Sequence, residues 1–306
     1  MRIAIMGSGG VGGYFGARLA AAGEEVSFIA RGAHLAAMQA NGLKITSGAG
    51  DLHLMPVTAV SDPSRIGPVD LVLFCVKLWD TESAAESCRP LLGPDTAVVP
   101  FQNGVAACGI LQRVLGAQHV MGGVAHIAAV IGAPGLIAHN GTMARLRFGE
   151  LDGSLSARAQ ALDAACKRAG FDGAASGDIT ALIWRKFVFL TGLSGITSLT
   201  RQPIGRVLGD PDTRTTLRAI MQESWQVAHA EGADVPESFV DEQMEFCHAL
   251  PQTMKSSMAH DLEHGNRLEA PWLCGAVVEL ARKHGFAAPV NATIYAALKL
   301  YAGGRP

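Results

Sequence analysis

Apolar positions follow two regimes along the chain. Up to about residue 150 they come in short runs broken by glycine, proline and asparagine; from Asp178 onward they recur at spacings of three and four. Short bounded apolar runs predict strands, and three-four spacing predicts helices. In the first regime Arg2–Met6, Glu25–Ala30, Asp70–Val76 and Ala97–Phe101 read as strands, and Leu43–Thr46 with Leu52–Val57 as a hairpin turning at Ser47–Asp51. The run "DLVLFCV" is almost unbroken, as in a strand covered on both faces. Val11–Ala22 reads as an alanine-rich helix closed by Gly23, and another helix follows Trp79-Asp80. Val120–Glu150 holds three short β-like runs between Gly, Pro and Asn turns, expected as a meander closing the sheet.

Ser154–Ala169 reads as a helix, and the glycine-rich passage "GFDGAASGDI" after it suggests a boundary near residue 174. The second regime is helical: Pro211–Glu231, with Asp210 as cap and Pro211 at the first position, then Pro236–His248, Gln252–His264, Pro271–His284 and Pro289–Tyr301. A parallel sheet (residues 1–174) followed by an all-α domain (175–306) is the layout of a two-domain dehydrogenase, with the active site expected in the cleft between the domains.

Composition narrows this picture. The 306 residues are 49% hydrophobic and only 17% charged, which suits folded domains rather than disorder. A formal net charge of −2 without a Lys/Arg run argues against nucleic acid or an anionic membrane surface. The six cysteines, at 75, 88, 108, 166, 247 and 274, form neither a CxxC pair nor a tight Cys/His group, so reduced buried thiols in a cytoplasmic protein are expected, and no metal site. The first apolar segment stops at Gly7, too short for a signal peptide, and Val120–Ala138 is too broken to cross a membrane.

The first glycines carry chemistry. Gly7, Gly9 and Gly12 complete G-x-G-x-x-G between a strand and a helix: one glycine for the tight turn, one for approach of a pyrophosphate, one for helix–strand packing. The loop Gly7, Ser8, Gly9, Gly10, Val11 and Gly12 is therefore the expected dinucleotide site, and the domain around it Rossmann-like. The second strand ends in Arg31 with no acid, which favours a 2′-phosphate, and so NADP, over NAD. Lys77 and Asn103 stand just past the ends of later strands, where open α/β sheets bind ligands, although either position also suits an ordinary exposed turn. His126 and His139 fit packed, hydrogen-bonded histidines better than catalysts.

In the helical half, Ile179, Leu182, Ile183, Leu190 and Leu193 make an apolar stripe with Lys186 upon it. Such a lysine either snorkels to water or serves in chemistry. Beside a nucleotide site it suits the acid that protonates the oxyanion formed when a carbonyl accepts hydride. Arg185 falls to the side, as a surface or interdomain cation. Glu269, before Pro271 at a helix start, is a candidate partner carboxylate, or simply a favourable charge at a helix dipole.

The pieces "IMGSGGVGGYFGARLA", "IARG", "FCVKLWD", "QNGV", "GGVAHIAA", "GLIAHNG", "IWRKF", "SSMAHDLEHGNRLE" and "HGFAAPVNATIYAAL" occur in this order, and with them the chain resembles the ketopantoate reductase (2-dehydropantoate 2-reductase) family over essentially its full length. The resemblance implies NADPH-dependent reduction of a 2-oxo acid in the cytoplasm, ketopantoate to pantoate in pantothenate and coenzyme A biosynthesis, by a monomer or homodimer. It implies Lys186 as proton donor with Glu269 assisting, Asn103 at the cofactor–substrate junction and Ser257 at the substrate. It also implies Lys77 and Arg31 near the cofactor phosphates and Ala128 beside the nucleotide. Two positions that are usually asparagine in that family are Leu190 and Cys274 here, and Ala270 and Pro271 also depart from its pattern. If those positions line the pocket, a less polar 2-oxo acid becomes an alternative substrate. A sensor that binds NADPH without catalysis is a further one.

Overall fold

A computed structural model describes residues 1–305 and divides the chain into two compact units, Met1–Ile179 and Thr180–Pro306. In the first unit the elements run β1 (Arg2–Met6), α1 (Gly10–Ala21), β2 (Glu25–Ile29), α2 (Gly32–Asn41), β3 (Leu43–Ser47), β4 (Leu52–Leu54), β5 (Thr58–Val60), β6 (Val69–Phe74), α3 (Thr81–Cys88), β7 (Leu92–Pro100), α4 (Ala107–Leu115), β8 (Gly122–Ala133), β9 (Leu136–Gly149), α5 (Ala157–Arg168) and β10 (Asp172–Ala175). The first sheet has the order β5-β2-β1-β6-β7 with every pair parallel. Because β1 has β2 on one side and β6 on the other, the strand order reverses at β1, the place where sheets of this kind leave a crevice. The central strands are apolar on both faces: Ile3, Ile5, Leu71 and Leu73 pack into one core cluster, Ala4, Met6, Val72 and Phe74 into the other.

The expected meander does not form. Val120–Glu150 forms two long strands, and β8–β9 joins β3, β4 and β10 in a second sheet rather than closing the first. Among the described residues its strand link to the first sheet is one bridge, Val98 to Val120. In the glycine-rich passage around residue 174, Asp172–Ala175 pairs in parallel with Arg145–Phe148. Gly173 lets α5 pack closely on this strand: a side-chain carbon there would lie 2.4 Å from Cys166.

The second unit holds most of α6 (Ile179–Thr200), then α7 (Ile204–Gly209), α8 (Pro211–Ala230), α9 (Phe239–Ala249), α10 (Ser257–His264), α11 (Cys274–Lys283) and α12 (Pro289–Leu298). Caps set the ends. Asp210 accepts from the amides of Asp212 and Thr213, with Pro211 opening α8, and Ser256 accepts from Ala259 to open α10. Glu223, buried on α8, accepts from the amides of Val290 and Asn291 and from the Asn291 side chain, so it closes the first turn of α12. The helix α6 is long and apolar enough to span a bilayer, yet 61% of its most apolar window is buried inside the protein. Glycines seat it closely: side-chain carbons at Gly192 and Gly195 would meet Met221 at 2.5 Å and the Cys274 sulfur at 3.2 Å.

All six cysteines are free thiols. Burial pushes Cys75, Cys88, Cys108, Cys166 and Cys274 up to about 12 and Cys247 to about 11.

Candidate active site

Parallel strands end at one edge, so Gly7 after β1, Arg31 after β2, Lys77 after β6 and Asn103 after β7 line the same edge of the first unit. The glycines there divide the work. Gly7 has φ +95°, and a side-chain carbon would press on the Val76 nitrogen at 2.8 Å, so only glycine makes this turn. At Gly12 the same carbon would lie 2.2 Å from the Gly7 carbonyl oxygen and 2.7 Å from Ile5, which is how α1 seats against β1. Gly9 differs: nothing lies within 4 Å of the missing carbon. That open side, next to the unpaired first amides of α1, fits a pyrophosphate. Gly10 faces protein instead, since a side-chain carbon would overlap the Ala129 carbonyl oxygen at 2.0 Å. Val11 is half-buried in the first turn. Ser8 is buried, and its hydroxyl and amide both donate to the Ile29 carbonyl, at 2.9 and 3.1 Å. Both groups are thus spent on holding the loop to the end of β2.

Arg31 is exposed at the N-cap of α2, two residues past the Ile29 carbonyl that holds Ser8. Lys77 is exposed with its ammonium 5.6 Å from the ring centre of Trp79. Asn103 is half-buried before Gly104, whose φ of +79° makes the turn. Ala128 is exposed at a register break in β8, where Ile127 pairs with Ala144 but Ala129 with His139. The neighbouring Ala129, rather than Ala128, touches the glycine loop.

In the second unit Lys186 is half-buried on α6, and Glu269 is buried at 7% exposure. Burial pulls the Lys186 ammonium down from 10.5 to about 8, against an opposing pull from the Glu269 carboxylate. Leu190 follows one turn later on the same face, half-buried. Farther along that face, the Thr197 hydroxyl lies 2.9 Å from that of Ser256, which sets the start of α10 and the exposed Ser257 against α6. Cys274 is not at the surface of any site: it is wholly buried against Gly195. Arg185 turns away to the Asp234 carbonyl at 3.2 Å.

Family models described as "Ketopantoate reductase PanE/ApbA" and its C-terminal counterpart match residues 3–153 and 178–302. The chain belongs to the ketopantoate reductase family. Among its relatives, the 2-dehydropantoate 2-reductase of Mesorhizobium japonicum is 33% identical, covering 92% of each chain. An uncharacterized oxidoreductase, YkpB, of Bacillus subtilis is 30% identical over 98% of this chain and 99% of its own. The crystal structure of a PanE/ApbA family ketopantoate reductase from Ralstonia eutropha superposes with a TM-score of 0.90 at 33% identity, covering 99% of this chain and 98% of that one. The chain is thus a member of an oxidoreductase family, with a Rossmann-like first unit and a helical second one.

Two residues that brace the loops of this candidate site escape a reading of the sequence. Gln102 donates to the Val76 carbonyl and the Thr81 hydroxyl, both at 2.9 Å, and so ties the loop bearing Lys77 to the loop bearing Asn103. Its only signal is its place beside Asn103. His34 spans the glycine loop and the β8–β9 turn, with Nε2 2.9 Å from the Ser8 carbonyl and Nδ1 accepting from the Gly135 amide at 3.1 Å. Partners so distant in the chain leave no local pattern.

Proposed function

We propose that this ketopantoate reductase homologue reduces a 2-oxo acid to the 2-hydroxy acid with NADPH, 2-dehydropantoate being the leading substrate, in pantothenate biosynthesis. One observation carries the reading: a lysine held near pH 8 by burial, with a buried carboxylate acting upon it. At pH 7 such a group is about nine-tenths protonated, yet it releases its proton far more readily than an exposed lysine. Lys186 would hydrogen-bond the keto oxygen, and as negative charge grows there it would hand over one proton and become the neutral amine. Glu269 would keep Lys186 charged before transfer and help bulk water restore its proton afterwards. NADPH would supply the hydride.

The glycine loop Gly7–Gly12 would take the pyrophosphate at the open side of Gly9 and the first amides of α1. Arg31 would meet the 2′-phosphate with its guanidinium, Lys77 would add charge at the phosphates, and Ala128 would border the nucleotide. Asn103 would stand where cofactor and substrate meet, and Ser257 would contact the substrate.

Leu190 favours a second reading within the same chemistry. An apolar side chain one turn from Lys186 offers no partner to a substrate hydroxyl, so a less polar 2-oxo acid is the alternative; Cys274, being sealed inside the unit, adds nothing to it. The test is NADPH and NADH oxidation with 2-dehydropantoate, 2-oxoisovalerate and bulkier 2-oxo acids. Preference for 2-dehydropantoate with NADPH supports the first reading, and preference for 2-oxoisovalerate the second. Nucleotide binding with no turnover on any of them refutes both and leaves a sensor.

A further inference from the structure

His34 lies in the first turn of α2, and both of its ring nitrogens are engaged. The Gly135 amide can only donate, so Nδ1 carries no proton and accepts; the Ser8 carbonyl can only accept, so Nε2–H donates. Only the neutral imidazole satisfies both. Burial lowers the affinity of His34 for a proton below its ordinary 6.5, although the Ser8 carbonyl opposes this.

The bond to Ser8 aims a neighbouring group. A peptide is planar and trans, so fixing the Ser8 carbonyl fixes the Gly9 N–H in the opposite direction. The other end of the clamp is the β8–β9 turn, held by the Lys44 amide donating to the Gly135 carbonyl at 2.9 Å. The same hairpin presses the Ala129 carbonyl on Gly10. Hairpin and histidine together restrain two successive residues of the loop. Charged groups are few around the ring. The glycine loop 7–10, β5 and the turn 133–135 carry none, α2 itself has only Arg31 at its cap, Lys44 of β3 meets Gly135 through its backbone amide, and the His53 ring of β4 sits 2.8 Å from the Asn41 carbonyl at the far end of α2. Neither burial nor hydrogen bonding of His34 therefore competes with a close ion pair.

We infer that His34 is a positioning residue for the nucleotide: as a neutral ring it clamps the glycine loop to the β8–β9 turn, and its protonation opens the clamp and weakens cofactor binding. This rests on the reading of the glycine loop as an NADPH site. A protonated Nδ1–H would point at the Gly135 N–H, two donors face to face, so one side of the bridge must break. The clamp is complete above about pH 6.5 and is lost as pH falls through the depressed value of His34.

The experiment measures dissociation constants of NADPH and NADH by nucleotide fluorescence from pH 5.5 to 8, for the wild type, His34→Gln and His34→Phe. NADH lacks the 2′-phosphate, whose own titration overlaps this range. We expect His34→Phe to weaken both nucleotides about tenfold at pH 7.5, as loss of one to two hydrogen bonds would. His34→Gln, which keeps a donor for Ser8 but cannot titrate, should bind less tightly than wild type at pH 7.5 and lose the steep weakening below pH 6.5. In turnover the KM for the cofactor should rise while kcat at saturating cofactor and the KM for the oxo acid hold. Superimposable pH profiles for wild type and His34→Gln overturn the inference, as does a lowered Tm with unchanged dissociation constants. If the wild type binds neither nucleotide, the site reading fails and this inference with it; binding that ignores His34 sinks this inference alone.

Discussion

Replacing Glu269 by glutamine alters the electrostatics of the proposed proton donor while leaving the donor in place. Two opposed influences set Lys186, and burial outweighs the carboxylate, leaving the ammonium at about 8 instead of 10.5. That difference corresponds to roughly 3 kcal/mol in favour of the neutral amine. Without the carboxylate, burial acts unopposed and the value falls further, by about one pH unit at the low end for a nearby charge. Reduction requires the ammonium, so kcat/KM of the wild type should fall on the alkaline side of a midpoint near pH 8. In Glu269→Gln the midpoint moves to about pH 7. The titration alone then costs about twofold at pH 7 but about eightfold at pH 8.5, so the deficit widens with pH. The reverse reaction needs the neutral amine, and its acid limb should move the same way, giving the variant a relative gain at low pH. Following NADPH absorbance from pH 6 to 10 in both directions measures this. An alkaline midpoint unmoved by the substitution refutes the reasoning, and so does Lys186→Ala with undiminished turnover. Equal losses in both directions at every pH would mean that Glu269 holds substrate rather than tuning Lys186.

Three further outcomes are expected. Gly9→Ala should keep its Tm, because the added methyl meets nothing within 4 Å, yet weaken NADPH at least tenfold; Gly12→Ala, with a 2.2 Å overlap on the Gly7 carbonyl, should lower the Tm as well. Equal effects of the two on stability would contradict the division of labour between these glycines. Arg31→Ala should raise the KM for NADPH about tenfold or more while changing that for NADH little, the loss expected of a charge-assisted bond to the 2′-phosphate. Leu190→Asn should shift kcat/KM toward 2-dehydropantoate over 2-oxoisovalerate by about tenfold, as one recovered hydrogen bond would; an unchanged ratio places Leu190 outside the specificity of the enzyme.

How far the sequence was legible depends on the range of the interactions involved. The strands β1 and β6 announce themselves because burial on both faces forces unbroken apolar runs, and the glycine loop because turn, approach and packing each demand the missing side chain. Helix α6 follows from spacing alone, and Lys186 is conspicuous as a cation on its apolar stripe. The hairpin β8–β9 departs from its local signals, since Asn140-Gly141 has turn chemistry but lies within the extra residues that β9 carries between His139 and Ala144. Helix α2 is hard to foresee: it starts at a glycine, has no side-chain cap and buries little beyond Met38. Cys274 stood out as a departure from the family pattern, but its burial against Gly195 depends on how α6 and α11 pack, which no local motif encodes. The same is true of His34, whose partners lie 26 and 101 residues away.

The suppressed acidity of the native thiols has a practical side. With sulfurs held at about 11 to 12, the thiolate that reacts with maleimides is scarce at neutral pH. A single cysteine introduced on the surface should therefore take a fluorophore selectively, with all six natural ones left in place. Spectroscopic reporters could then be installed on an otherwise native enzyme.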